Sequence, residues 1–160
     1  MIKSFAVSDI LKYPNPYANT ILLDVYRWSD YPEIKKVCFD VFNEFKNIGY
    51  SPRQLNKKFE RHLRVVILNL YHGYLSDPDL FIAYAGDKNV YVTRRYKHIH
   101  ISYRPLMRAI EGLEELGFIE QKRGFHDPRT GIGFQSVMRA TSRLISLIES
   151  RVVSPSMIGR

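Results

Sequence analysis

The sequence predicts an α+β domain that is mainly helical and carries a β-hairpin towards its C-terminal end. Apolar residues recur at helical spacing in four segments, whereas residues 81–93 and 118–138 are rich in β-formers and punctuated by turn residues. The chain has 160 residues, of which 45% are hydrophobic, so it has the size of one domain with an extension. A chain of this length can bury a core without disulfides.

Three parts are expected along the chain. Residues 1–50 form an N-terminal arm and a helical extension, residues 51–152 form the main domain, and residues 153–160 form a flexible tail. The tail is predicted to be unfolded because Ser154-Pro155-Ser156 is a typical loop composition.

Two helices are predicted between residues 32 and 70. The first begins at Pro32, ends before Gly49 and buries one stripe, formed by Ile34, Val37, Val41, Phe42, Phe45 and Ile48. The second begins at the cap Ser51-Pro52 and runs for about 20 residues. Its buried stripe is Leu55, Phe59, Leu63, Val66 and Leu70. Its other face carries Arg53, Lys57, Arg61 and Arg64, and serves either as a solvated surface or as a phosphate-contacting stripe.

The period of the apolar pattern then changes from helical to alternating. Residues 81–85 and 90–93 flank Gly86-Asp87-Lys88-Asn89, which predicts a first hairpin. Ser102 predicts the cap of a third helix that ends at Gly117 and tolerates proline in its first turn.

A second hairpin and a last helix follow. Residues 118–123 and 132–138 predict two strands around a turn at 124–131. The last helix is predicted from the spacing of Leu144, Ile145, Leu147 and Ile148.

The formal charge of +8 is unevenly distributed. Residues 1–50 contain six basic and six acidic side chains, whereas residues 88–108 contain six basic side chains and no acid. A neutral N-terminal part beside a basic remainder favours a polyanionic partner, nucleic acid before membrane.

The order of the elements resembles a winged helix-turn-helix domain, in particular MarR-like and plasmid replication-initiator domains. The similarity is carried by the apolar spacing of Leu106, Ile110 and Leu113 followed by Leu116-Gly117-Phe118-Ile119-Glu120, and by Asp127-Pro128-Arg129 at the turn. The resemblance implies that the third helix is a recognition helix and that the hairpin is a wing. Two features depart from the pattern: the short helix expected before the recognition helix is not evident in residues 95–101, and the β pair at 81–93 is additional.

The charge order of helix 103–117 agrees independently with this interpretation. Arg104 and Arg108 come first on its exposed face, and Glu111, Glu114 and Glu115 come last. This order opposes the helix dipole, which favours acids at the N-terminus and bases at the C-terminus. Functional sites are where such violations are expected, and a helix that enters the major groove by its N-terminal end needs cations there. The alternative is an ordinary surface helix with Arg108–Glu111 pairing.

These arguments predict binding of double-stranded DNA without catalysis, in replication initiation or transcription regulation. The predicted DNA-binding residues lie on the recognition helix, the wing and the preceding basic segment. They are Ser102, Tyr103, Arg104, Arg108, Lys122, Arg123, Arg129, Arg94, Arg95 and Lys97.

Two other functions stay open. His98-Ile99-His100 resembles the metal motif of HUH nucleases, which nick DNA with a tyrosine, and Tyr71 and Tyr74 are among the tyrosines available. The Tyr-x-x-Lys pairing of that family is absent, so an enzyme is not expected. The third function is a winged helix that only binds proteins.

No cofactor or metal is expected, because Gly131-Ile132-Gly133 lacks the third glycine of a dinucleotide site and no paired cysteines occur. The single Cys38 fits a reducing compartment, and no window is apolar enough for a membrane span, which predicts a cytoplasmic protein. Homodimerisation through the helices at 33–48 and 140–152 is left open.

Overall fold

The fold consists of helices packed on one small antiparallel sheet. The computed structural model describes residues 27, 29, 31–79, 81–84, 101–126, 128–129, 133–134 and 136–158, and the side chains of all of these except 125, 126, 133, 134 and 152–158. This part of the chain is an α+β structure with four α-helices, as predicted.

The first helix follows the predicted apolar stripe. A 3-10 turn over Pro32–Ile34 buries Ile34 and leads into α1, Lys35–Asn47, which buries Val37, Cys38, Val41 and Phe45. Phe42 and Ile48, also in the predicted stripe, are half-buried. Pro32 lies in the first turn, where its missing N–H costs nothing. Burial also raises the pKa of the Cys38 thiol, so this cysteine is an unreactive core residue.

The second helix, α2, spans Lys57–Ser76 and has the predicted length of 20 residues, but it begins later than predicted. Its N-cap is Asn56, whose side chain accepts a hydrogen bond from the Phe59 N–H at 2.9 Å. Ser51-Pro52 instead opens a separate turn, in which the Ser51 N–H donates to Gln54 Oε1 and the Gln54 N–H donates to Ser51 Oγ. The predicted cap was wrong because this reciprocal pair satisfies the backbone of the turn locally, before the helix starts.

The three-stranded sheet has the order β1-β5-β2, and both pairings are antiparallel. β1 is Ile82–Tyr84, β2 is Ile119–Lys122 and β5 is Ser136–Ala140. Ile82 lies opposite Met138, and Glu120 lies opposite Arg139. β1 was expected to belong to an additional β pair, but it is the third strand of the sheet formed by β2 and β5. The predicted partner strand, 90–93, lies outside the described residues.

The third helix, α3, spans Tyr103–Glu115 and ends as predicted. Gly117 has φ +79°, the left-handed conformation that glycine adopts without strain. Its N–H donates to the Glu114 carbonyl, and the Phe118 N–H donates to the Leu113 carbonyl, which is the Schellman pattern. This cap turns the chain from α3 directly into β2.

The predicted second hairpin extends beyond the pair formed by β2 and β5. Beyond β2 and β5, the short strands β3, Phe125–His126, and β4, Gly133–Phe134, pair antiparallel and carry the predicted turn. The Gly124 N–H donates to Ser136 Oγ at 2.9 Å where the two ladders join.

The last helix, α4, spans Ser142–Ile158. The tail predicted to be unfolded from residue 153 is therefore helical to Ile158. Pro155 and two serines disfavour a helix locally, and the proline has no N–H to add to the helical ladder, so nothing in the local sequence accounts for this extension.

One core joins the helices and the inner face of the sheet. Its largest fully buried side chains include Phe45, Phe59, Leu68, Leu106 and Phe118. α3 is thereby held between α2 and the sheet with its opposite face open. No helix within the described ranges is both long and apolar enough to cross a membrane.

Candidate nucleic-acid interface

The open face of α3 carries the charged residues singled out by the sequence. Arg104 is exposed, Arg108 is half-buried one turn later, and Glu111 and Glu115 continue the same strip towards the C-terminus. Among the described residues, neither arginine forms an ion pair with an acid. The basic end of the strip therefore presents two guanidinium groups to solvent beside the helix N-terminus.

The N-terminus of α3 is held by a residue that sequence reasoning missed. Ser102 is the N-cap by position, but its side chain makes no capping hydrogen bond. Pro105 occupies the third helical position and has no N–H to offer the serine hydroxyl. Instead, the Ser102 N–H donates to Nε2 of His62, on α2, at 2.9 Å.

His62 is fully buried and neutral. Its Nδ1 lies 2.6 Å from the Lys58 carbonyl, so Nδ1 carries the proton and Nε2 is the acceptor for Ser102. Burial lowers the pKa of His62 to about 4, and the charges of Arg61 and Lys58 act in the same direction. The imidazole thus links α2 to the N-cap residue of α3 across 40 positions of sequence.

A groove lies between α3 and the turn that follows α1. It measures about 640 Å³, and its walls are the turn residues 48–50 and 54 on one side and α3 on the other. The α3 wall consists of Tyr103, Arg104, Met107, Arg108 and Glu111. Tyr103 is half-buried and packs against the core, so the predicted contact residue also serves the core.

The wing residues are exposed but occupy different positions on the hairpin. Lys122 and Arg123 lie at the end of β2, and Arg129 lies in the turn between β3 and β4. The Lys122 ammonium also lies 5.0 Å from the ring centroid of Phe81. The hairpin therefore displays cations at its base and at its tip.

Three other arginines of the basic C-terminal half belong to the scaffold. Arg139 pairs with Glu120 directly across the sheet, Arg143 pairs with Glu44 at 2.9 Å, and Arg151 pairs with Asp40 at 2.9 Å. The last two pairs join α4 to α1.

Several predicted residues lie outside the described part of the chain. These are Arg94, Arg95 and Lys97 of the DNA-binding set, the two histidines His98 and His100, and the short helix sought in 95–101. Of the tyrosines considered as nucleophiles, Tyr71 is buried, and the Tyr74 hydroxyl donates to Glu149 at 3.1 Å. No cluster of three or more His, Cys, Asp or Glu suited to a metal ion occurs within the described ranges.

Comparison with family models, curated proteins and solved structures finds no match to this chain.

Proposed function

We propose that this chain is a non-catalytic, double-stranded DNA-binding domain of the winged helix-turn-helix type, used in replication initiation or transcription regulation. α3 is the reading helix, and the hairpin formed by β2 to β5 is the wing. The observation that carries the proposal is the pair Arg104 and Arg108, two solvent-facing guanidinium groups at the helix end whose dipole disfavours them.

The local energetics support a functional reason for this pair. Two cations one turn apart repel each other, and Arg104, in the first turn, is unfavourable near the helix N-terminus by about 0.3–1 kcal/mol. No described acid lies within ion-pair distance of either guanidinium. A bound polyanion would compensate both, because a guanidinium forms paired hydrogen bonds with phosphate oxygens or with a guanine edge.

The sheet supports the winged-helix part of the proposal. In the order β1-β5-β2, the strand that precedes α3 in sequence pairs with the returning strand of the hairpin. The cap at Gly117 joins α3 directly to the first strand of this hairpin, and in this proposal both elements contact one duplex. In this account Arg108 and Arg104 read base edges, whereas Lys122, Arg123 and Arg129 contact phosphates.

A titration of labelled duplexes with and without a metal chelator tests the proposal. With the three phosphate contacts of Lys122, Arg123 and Arg129, log K should fall with log salt at a slope of about −2.7, and chelation should not matter. Absence of duplex binding at about 50 mM salt would contradict the proposal and leave the protein-interaction function. Metal-dependent nicking of single strands that requires His98 and His100 would replace it with the HUH nuclease function.

A further inference from the structure

The groove beside α3 is preformed. Its outer wall is the turn containing Ser51 and Gln54, which is held by two side chain–backbone hydrogen bonds of 2.8 and 3.3 Å. Tyr50 is fixed in the wall because its ring packs edge-on against Phe45 at 5.1 Å. Its hydroxyl lies 3.5 Å from the Arg108 carbonyl, which ties the wall to α3.

Gly112 allows this close approach. A Cβ at this position would lie 2.1 Å from a ring carbon of Phe45 and 2.9 Å from the Tyr50 hydroxyl oxygen. The absence of a side chain therefore lets the aromatic wall lie directly on α3, next to the half-buried Arg108.

The chemistry along the groove is graded. One end has the guanidinium groups of Arg104 and Arg108, the side wall offers the Tyr50 hydroxyl and the Gln54 side chain, and the far end has the carboxylate of Glu111. Burial, followed by the charges of Glu115 and Glu111, raises the pKa of Tyr50, so its hydroxyl stays protonated. Its contact with the Arg108 carbonyl is long, at 3.5 Å, so the proton can be donated to a phosphate oxygen instead. An open, preformed groove with donors at one end and along one side fits an extended anionic chain better than an enclosed small molecule.

We propose that the turn wall of this groove binds the sugar–phosphate backbone of one nucleic-acid strand, with Tyr50 and Gln54 donating to its phosphates beside the base-reading Arg104 and Arg108 of α3. The inference rests on the proposed function and extends it, because it adds the turn after α1 to an interface otherwise made by α3 and the wing. Contacts to the backbone carry no sequence information, so the turn contributes affinity and register.

Two small substitutions on the turn test the proposal. Tyr50→Phe removes only a hydroxyl and is the cleaner test, whereas Gln54→Ala removes an amide whose oxygen also accepts from the Ser51 N–H. Each should weaken binding to preferred and scrambled duplexes by the same factor, roughly three- to tenfold, because a hydrogen bond to a charged phosphate is lost. Glu111→Gln should strengthen binding to both duplexes about twofold to fivefold, because a like charge is removed from the far end.

Tyr74→Phe is the matched control, because it also removes one tyrosine hydroxyl, on α2, from a contact with Glu149 that is not part of the groove. Its affinity should equal that of the unsubstituted chain, and thermal melting of every variant checks the fold. The same titrations include a single strand of the preferred sequence.

The outcomes separate the two proposals. If Tyr50→Phe and Gln54→Ala bind like the unsubstituted chain while Arg108→Ala binds weakly, the groove proposal is wrong and the reading helix stands. If a single strand binds better than a duplex and both turn variants weaken it, the groove proposal stands and the duplex-reading function is wrong. If neither ligand binds, both proposals are wrong.

Discussion

Five described arginines in the C-terminal half fall into two groups that differ in their surroundings. Arg139, Arg143 and Arg151 each face a carboxylate from another element, and the first two also lie over aromatic rings at 4.3 Å. Arg104 and Arg108, by contrast, lie on the open face of α3 without an ion pair to any described acid. Net charge alone therefore does not locate a binding surface, since three of these five arginines pair with acids of the same chain.

The largest expected effect is a pH dependence of the free energy of unfolding, caused by His62 beneath α3. The pKa of a histidine is 6.5 in its ordinary state and about 4 in this fold, so only the unfolded chain binds the proton between these values. The contribution of His62 to the free energy of unfolding is therefore fully present above pH 6.5. It decreases by about 3 kcal/mol as the pH falls from 6.5 to 4. Urea unfolding at a series of pH values should show this dependence, and His62→Gln, which keeps an acceptor for Ser102, should lack it. An identical pH profile in both chains would contradict the assigned tautomer and contacts.

Arg108→Ala tests the pair of exposed-face arginines on α3. It should cost about 1–3 kcal/mol of affinity for the preferred duplex and little for a scrambled one, because a base contact is lost. Folding should change by no more than ~0.5 kcal/mol, because the guanidinium has no ion-pair partner among the described residues. Fluorescence anisotropy on both duplexes, with melting measured alongside, provides the comparison. Intact discrimination in a folded variant would show that α3 is not the reading helix.

Arg143→Ala tests the arginines that pair within the fold. It should lower stability and leave DNA affinity nearly unchanged, the reverse of Arg108→Ala. The guanidinium donates to the Leu116 carbonyl, pairs with Glu44 and covers Phe118, so its loss should lower the free energy of unfolding by about 1–2 kcal/mol. Affinity for both duplexes should remain within about twofold of the unsubstituted chain. A selective loss of DNA affinity at unchanged stability would place Arg143 in the interface instead.

Arg129→Ala has the smallest expected effect and tests whether the wing contacts phosphates. A lost phosphate contact should weaken both duplexes equally by about 1 kcal/mol and reduce the magnitude of the salt slope by about one. Salt titrations of the two chains on the same pair of duplexes measure it. An unchanged slope would remove the hairpin tip from the interface.

The sequence was sufficient for what is set locally. The stripe of α1, the length of α2 and the cap at Gly117 follow from spacing and from residue chemistry within one or two turns, and all three are present. The predicted start of α2 is too early. Ser51 closes a separate turn, and the helix begins only after its own cap, Asn56.

What the sequence could not provide depends on contacts between distant segments. The partner of Arg143 is 99 positions away and that of His62 is 40 positions away, so neither pairing can be inferred from spacing. One signal for His62 was nevertheless present: it lies three residues after Phe59 and four before Val66, on the buried face of α2. The groove had no such signal, because the contact of Tyr50 with the Arg108 carbonyl, which joins its two walls, spans 58 positions of sequence.

The most direct test of the central claim compares two double variants that remove the same charge. Arg104→Ala/Arg108→Ala and Arg139→Ala/Arg143→Ala each lower the net charge by two, and both are titrated with the preferred duplex at one salt concentration and at a temperature where both are folded. We predict that affinity falls by at least about 100-fold for the first variant and by less than about threefold for the second, because only the first pair contacts DNA. Equal losses would show that the duplex senses only total charge, and would contradict the assignment of α3 as the reading helix.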